Sequence, residues 1–538
     1  MVFGRSGAGR LGRGYSRSPG YRRAVGLLWV RHRLFVVLLA GGALLRAAAL
    51  FACWPAMEFY GDSYSYLWYA KELRPDQVRP FGYSAFLKLF SWSPSIAVVP
   101  VVQHLLGLGI GAALYGLSVH RGLSRRLAAA AAAPVLLDAY QVNIEQMVMA
   151  ETFFAALLTA AVLALLWCER PSGSMCAGAG ALLAAATLTR SVVLVLPVLA
   201  AVYLLARSVG VRRLVAFGAG VTLPLAAYAA WFAAVYGNFA LQNADGFFLW
   251  GRVAEFADCS RIQVTPRELP LCSPHPPGER PGPNYYDWDA NSPRAAFGPF
   301  GAETNTVFRR FALKVIVAQP REYARLVAHD VTHCFGPVRR VGSRDWYLAT
   351  WQFRAGHPDP RWQIHRSLRD FDGAVTPRRH DAVLGGLLRG YQSVGFTPGP
   401  LLAGCVLMGV LAAMAAAGYG LLRIRQDCLL LVGMGLVLLV VPCATAVFDY
   451  RYLLPVLVCL PPAGAFAVAQ LRLVRARTRQ AGRRAGPDLP TRPEPPPGPP
   501  PDLVGRAGRT GWRRRRVRSN RGTTSSPATP RSGSPAPP

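Results

Sequence analysis

In YGDSYSYLWYAKEL, residues 60 to 73, the carboxylate of Asp62 follows a long apolar run and stands among aromatics, with no basic partner beside it in the chain. An ionised carboxylate so placed has the chemistry of a general base, accepting a proton from a substrate hydroxyl. The plainer reading is a solvated loop acid or a helix cap. Glu58 stands four residues earlier, and a helical segment would bring both acids to one side. Three arginines occupy comparable settings: Arg79 in RPFGYS, Arg190 in LTRSVVLVLP and Arg451 in DYRYLLP. Arginine stays charged and offers a planar donor fork matched to phosphate oxygens. Each also has the option of extending its head to a membrane interface. Arg190 fits that option worst, because apolar residues run on both sides of it. Glu151, in MVMAETFF, is placed to pair with one of these cations or to position a substrate hydroxyl. Asp138, Glu145 and Asp449 are lesser candidates that also read as polar turn residues.

The elements that must position these side chains are set by composition. The 538 residues are 52% hydrophobic with a mean hydropathy of +0.24, which points to an all-α polytopic membrane protein. Apolar runs lie at about 34–54, 95–118, 127–142, 148–168, 176–190, 191–206, 214–236, 399–422, 428–447 and 453–471. Against the roughly 20 residues needed to cross the hydrocarbon core, these predict about ten transmembrane helices. The third and fifth runs are short and are expected as tilted or broken helices. The net charge of +32 would suit nucleic acid if it covered one face. Much of it lies instead at the two ends and in short loops, so a nucleic-acid partner is not expected.

Orientation follows from the basic loops. With the basic N-terminus, residues 1–33, inside, the later inside loops are HRGLSRR (120–126), CERPSG (168–173), ARSVGVRR (206–213) and RIRQD (423–427), followed by the tail after 472. All are basic. The first apolar run is too extended, and its basic flank too long, for a cleaved signal peptide. The opposite face then receives the first outer loop, 55–94, the turn DAYQVNIEQMVMAE (138–151), Arg190, the long segment 237–398 and FDYRY (448–452). The expected organisation is therefore a transmembrane core over 34–236, an outer region over 237–398, further transmembrane helices over 399–471, and a disordered Pro/Arg-rich tail over 472–538.

Ten scattered cysteines show no metal-ligand spacing. Cys259 and Cys272 lie in a polar, Pro-rich stretch and are candidates for a disulfide in an oxidising compartment, or remain two free thiols. Over 304–335 the apolar spacing predicts two amphipathic helices broken at Pro320, lying on the membrane surface or capping the bundle. WRRRRVR (512–518) reads as a solvated tail segment or a contact for anionic lipid headgroups.

The ordered set GDSYSY, RPFGYSAFL, QHLLGLGIGAALY, MAETFF, LTRSVVLVLP and DYRYLLPVL resembles the GT-C superfamily of membrane glycosyltransferases. Within it, the set is most like the protein O-mannosyltransferase and lipid A aminoarabinose transferase type. The resemblance covers roughly 34–236 and, more weakly, 399–471. It implies a plasma-membrane enzyme with an extracytoplasmic active site, moving a sugar from a polyprenyl-phosphate carrier to a glycan, lipid or protein hydroxyl. By position it maps the essential first-loop acid, usually the general base, onto Asp62, the acid at the mouth of a later helix onto Glu151, and the arginine before a leucine-rich helix onto Arg190. Catalysis is expected of Asp62 and Glu151, and substrate binding of Arg190 with Arg79, Tyr83, Arg451 and Tyr452 as further candidates. Many protein O-mannosyltransferases carry two adjacent acids in the first loop; here Ser63 follows Asp62. A phosphate leaving group can be served by arginine alone, so the sequence requires no metal, although a divalent ion at Asp62 stays open. No nucleotide-binding glycine loop is present, which disfavours a nucleotide-sugar donor. The alternative is a non-catalytic flippase or transporter of a lipid-linked saccharide, which needs polar groups along a path through the bilayer.

Overall fold

The computed structural model describes residues 19–59, 61–276, 278–342, 344–354, 379–415 and 422–484. Tyr60, the N-terminal residues 1–18, residues 355–378 and the tail from 485, WRRRRVR included, lie outside them. The chain is mostly helical. From the N-terminus run α1 (Pro19–Ala52), α2 (Asp62–Glu72), α3 (Gly82–Lys88), α4 (Val98–His120), α5 (Arg125–Leu137), α6 (Ala139–Gln146), α7 (Glu151–Leu166), α8 (Gly173–Thr189), α9 (Val195–Ala206) and α10 (Val211–Tyr236). The long segment carries α11 (Asp245–Ala254), α12 (Pro283–Trp288), α13 (Ala302–Ala318), α14 (Pro320–His333) and α15 (Ala382–Gln392). The last helices are α16 (Gly399–Ala415), α17 (Leu422–Thr445) and α18 (Leu460–Arg484). The sole sheet among the described residues pairs β1 (Cys53–Trp54) antiparallel with β2 (Arg379–His380).

Every predicted apolar run contains a helix, but fewer than ten are long enough to cross a membrane by themselves. Among the described residues four qualify: Val30–Ala52, Val98–His120, Val211–Tyr236 and Arg423–Thr445. Two bent pairs, Arg125–Leu137 with Ala139–Gln146 (47°) and Tyr450–Val458 with Leu460–Arg479 (43°), bring the number to six if each pair is one crossing. Glu151–Leu166, Gly173–Thr189, Ser191–Ala206 and Gly399–Ala415 are shorter apolar helices. At 1.5 Å per residue, a helix of 16 residues covers about 24 Å, less than the roughly 30 Å of hydrocarbon. The expected count of ten therefore holds only as apolar helical segments. The break after α5 has a local cause. Asp138 Oδ1 accepts from Tyr140 N (2.9 Å) and Gln141 N (3.2 Å), starting α6 in a new direction.

Close helix packing rests on small residues. A Cβ at Gly180 of α8 would collide with the Phe217 carbonyl of α10, so this pair of helices approaches backbone to backbone. Deeper in the bundle α1 is tied to α5 and α6 by a buried polar group. Arg46 donates to Glu145 from Nε (2.7 Å) and Nη2 (2.8 Å), and to the carbonyls of Leu136 (2.8 Å) and Val135 (3.1 Å). His104 Nδ1 lies 2.9 Å from Glu145 Oε2. Glu145 is fully buried, not the polar turn residue expected from its surroundings in sequence, because a cation 99 residues earlier in the chain compensates its charge. Asp138 is likewise buried, holding Thr397 N (2.7 Å) and the Arg339 guanidinium (3.6 Å).

The basic loops assigned to the inside meet at one end of the bundle. Asp427 is ion-paired with Arg121 and Arg207 and accepts from Tyr203 Oη (2.7 Å). Glu169 pairs with Arg423, and His120 Nε2 lies 2.8 Å from the Trp167 carbonyl. The helix carrying the last apolar run continues to Arg484, so residues 472–484, expected in the disordered tail, are helical.

The long segment has its own core of Phe247, Trp250, Phe308, Phe311 and Val315, contributed by α11 and α13. Cys259 and Cys272 are joined in a disulfide. The two amphipathic helices break at Pro320 as their spacing predicts. The apolar face of α13 is spent on this core, not on a membrane surface, whereas α14 caps the bundle, its Tyr323 Oη donating to the Ala444 carbonyl (2.9 Å). Arg252 joins α11 to α14 by donating to Glu255 Oε1 (3.0 Å) and Asp330 Oδ2 (2.5 Å).

Candidate functional site

Asp62 is the first residue of α2, where an acid is favoured by the helix dipole. The start of that helix is pinned by its neighbour. Ser63 Oγ accepts from Phe59 N (2.8 Å) and donates to the Val148 carbonyl (2.8 Å), and the residue is fully buried. Ser63, which follows Asp62, is therefore a staple between the start of α2 and the strand-like residues before α7. Glu58 does not share a face with Asp62, since the helix begins only at Asp62. The Glu58 carboxylate turns away and accepts from Tyr64 Oη (2.9 Å).

Both oxygens of Asp62 are taken by arginines. Oδ1 accepts from Arg79 Nε (2.8 Å) and Nη2 (2.5 Å), and Oδ2 accepts from Arg451 Nη1 (2.7 Å). Arg79 reaches back because its loop lies flat on the end of α8. A Cβ at Gly82 would stand 2.6 Å from the Leu188 oxygen, so only glycine admits this approach. Arg190, in the break that follows α8, donates from Nη1 to Glu151 Oε1 (2.5 Å), and its guanidinium carbon lies 5.0 Å from the Tyr452 ring centre. Glu151 opens α7 and is 2% exposed, and its Oε2 has no hydrogen-bond partner among the described residues.

Arg451 is the hub. Its Nη1 also lies 3.7 Å from Glu151 Oε1, and its Nε is 3.0 Å from Asp449 Oδ2. Its guanidinium carbon stands 5.1 Å from the Trp351 ring, 5.3 Å from Tyr452 and 5.6 Å from Phe59. Arg79 is 5.9 Å from the Trp288 ring. Three acids, Asp62, Glu151 and Asp449, thus face three arginines, Arg79, Arg190 and Arg451, in an aromatic enclosure. Asp76, 3.7 Å from Arg79, stands at the edge.

Burial alone would raise the Asp62 carboxyl, but Arg79 and Arg451 outweigh it and hold the group well below the usual carboxylate range. So held, Asp62 is a weak proton acceptor. An anion that draws one arginine away returns it toward ordinary basicity. Asp449 goes the other way, burial raising it to about 6 against the pull of Arg451. It is therefore the member of the cluster poised to titrate near neutrality.

Asp62, Arg79, Glu151, Arg190, Arg451 and Tyr452, singled out in sequence, come together. Tyr83 does not join them: it is fully buried one layer behind, packed on Tyr66 with its Oη donating to Gln103 Oε1 (2.7 Å). Asp449, a lesser candidate in sequence read as a turn residue, joins the cluster, and the residues that sequence reasoning missed are Phe59, Trp288 and Trp351. Asp449 had a signal, for an Asp two residues before Arg451 caps the following turn through Oδ1 and Arg451 N (3.0 Å). Trp351 had none, as it closes a short 3-10 turn, Leu348–Trp351, far in sequence from any of the motifs. Among the described residues no group of three or more His, Cys, Asp or Glu side chains is placed to hold a metal ion.

Comparison of the chain with family models, with curated proteins and with solved structures gave no match. The resemblance to GT-C transferases rests on its motifs.

Proposed function

We propose that this protein is an inverting glycosyltransferase of the plasma membrane that moves a sugar from a polyprenyl-phosphate carrier to an acceptor hydroxyl on the extracytoplasmic side. In this reading all ten apolar segments serve as membrane passes, the shorter ones tilted or completed by flanking residues. One observation carries it: Asp62, Arg79, Glu151, Arg190 and Arg451, drawn from separate stretches of chain, meet in one buried cluster at the end of an apolar bundle.

The cluster suits a ligand that arrives with negative charge. The three arginines are already neutralised by carboxylates, so a phosphate competes with Asp62 and Glu151 for their forks. When it takes Arg451 or Arg79, Asp62 is released as the base. It then accepts the proton of the acceptor hydroxyl as that oxygen bonds to the anomeric carbon, and the bond from that carbon to the phosphate oxygen breaks. The departing phosphate keeps the electron pair, its charge met by Arg190 and its neighbours. The carrier chain stays in the bilayer.

Carriage without chemistry is less well supported. A flippase needs accessible polar groups along its path, and the deeper polar group of Arg46, His104 and Glu145 is sealed, 3% exposed or less, and paired internally. The test is transfer from a labelled polyprenyl-phosphate sugar in membranes holding Asp62→Asn. Near-normal transfer by that variant removes Asp62 as the base, and lipid translocation with no transfer by the wild type removes the enzyme.

A further inference from the structure

A second polar space adjoins the arginine cluster. Met57, Glu58, Met147, Thr350, Gln352 and Arg354 line a cavity of about 120 Å³. Its relation to the cluster follows from the chain. Met57 and Glu58 directly precede Phe59, and Thr350 and Gln352 flank Trp351. The Phe59 and Trp351 rings, 5.1 Å apart, are the ones that lean on Arg451. The two segments thus give their aromatic residues to the cluster and the residues beside them to the cavity. One wall is fixed by backbone, Met57 N donating to the Gln146 carbonyl and Val148 N to the Met57 carbonyl, both at 2.9 Å.

We propose that this cavity binds a neutral polyol, and specifically the non-reacting hydroxyl groups of the sugar acceptor. Its chemistry is mixed in a way that selects against ions. Glu58, 4% exposed, opposes an anion, and Arg354 opposes a cation. Thr350 Oγ1 accepts from Trp346 Nε1 (3.1 Å), so its own proton is left to give. Gln352 Oε1 already accepts from Arg389 Nη2 (2.9 Å) and its Nε2 donates to Tyr140 Oη (3.4 Å), which leaves the second amide hydrogen to give. A ligand here meets donors in Thr350 and Gln352, an acceptor in Glu58 and two apolar thioethers in Met57 and Met147. Hydroxyl groups on a carbon skeleton satisfy all of these together. The volume is that of about four waters, and is less than the roughly 150 Å³ that admits benzene. It has room for glycerol or for the hydroxyl-bearing edge of one sugar ring.

The acceptor role rests on the transferase reading, whereas polyol binding itself does not. The experiment uses the full-length protein in nanodiscs, without donor, titrated calorimetrically with glycerol and with methyl glucoside. The wild type is expected to give a saturable heat with at least one probe. Thr350→Val, which keeps the shape and removes one hydroxyl, weakens that binding about tenfold, the worth of one hydrogen bond to a polar ligand. Glu58→Gln, a second and independent variant, weakens it by as much or more, with thermal unfolding measured alongside to confirm that both proteins are folded. No saturable heat from either probe, or equal affinity in folded Thr350→Val, overturns the cavity as a polyol site. If the probes bind as expected while the wild type transfers no sugar from a labelled polyprenyl-phosphate donor, the transferase reading falls and the polyol site stands.

Discussion

Arg451 Nη1 lies 2.7 Å from Asp62 Oδ2, although 389 residues separate the two in the chain. The contact joins the loop after α1 to the turn after α17, and it sets the resting charge of the cluster. Arg451→Lys keeps the charge but loses the fork that spans Asp62, Glu151 and Asp449. Transfer from a labelled lipid-phosphate sugar is expected to fall about 10²-fold in Arg451→Lys and at least as far in Arg451→Ala. Full activity in the lysine variant would show that the fork is not used.

Asp62→Asn separates binding from chemistry. It removes the base, with an expected loss of about 10² to 10⁴-fold in transfer. It also removes the carboxylate that competes with phosphate for Arg79 and Arg451. Binding of polyprenyl phosphate, measured on the purified variant, is therefore expected to be retained or tightened. A parallel loss of binding and transfer would mean that Asp62 holds the fold of the cluster and takes no proton.

Arg190 pairs with Glu151 and stacks on Tyr452, away from the Asp62 oxygens. Its loss should weaken use of the donor more than use of the acceptor. In Arg190→Ala the apparent KM for the lipid-phosphate sugar rises about tenfold or more, while that for the acceptor changes little. Equal rises for both substrates would remove Arg190 from the phosphate site.

The Arg46 and Glu145 pair is a matter of stability. Glu145→Ala leaves a guanidinium buried without its carboxylate and is expected to cost about 3 to 5 kcal/mol. Replacing both, Arg46→Met with Glu145→Leu, removes the unpaired charge and should cost clearly less than Glu145→Ala alone. Thermal unfolding in detergent of the two proteins checks the order. A double variant less stable than the single one would show that the pair contributes net stability.

Glu255 gives the segment of α11 to α14 a pH dependence. Burial raises its carboxyl from the usual range to about 7, opposed by Arg252, which is shared with Asp330. Between the unfolded value near 4.5 and 7 the folded state binds the extra proton, so stability falls as pH rises through that window and is level above it. The protection of α11 amides, taken relative to the intrinsic exchange rate at each pH, should fall from pH 5 to about 7. Glu255→Gln should abolish the trend, and an unchanged trend in that variant would assign it elsewhere.

The sequence determined a good deal. Each apolar run became a helix because long apolar stretches leave the backbone no partner but itself, and each basic loop collected at one end because arginine loops share a preference for one side. The break at Pro320 was legible, and the candidate residues Asp62, Arg79, Glu151, Arg190 and Arg451 could be singled out because charge beside an apolar run is costly unless it is used or paired. Tertiary structure alone decided the pairing. Glu145 looked like a turn residue until Arg46 met it, Tyr83 read as a binding residue until Gln103 took its hydroxyl, and Trp351 carried no signal at all. Periodicity and composition act on neighbours in the chain, whereas an ion pair or a cavity wall depends on which distant segments a fold brings within a few ångströms.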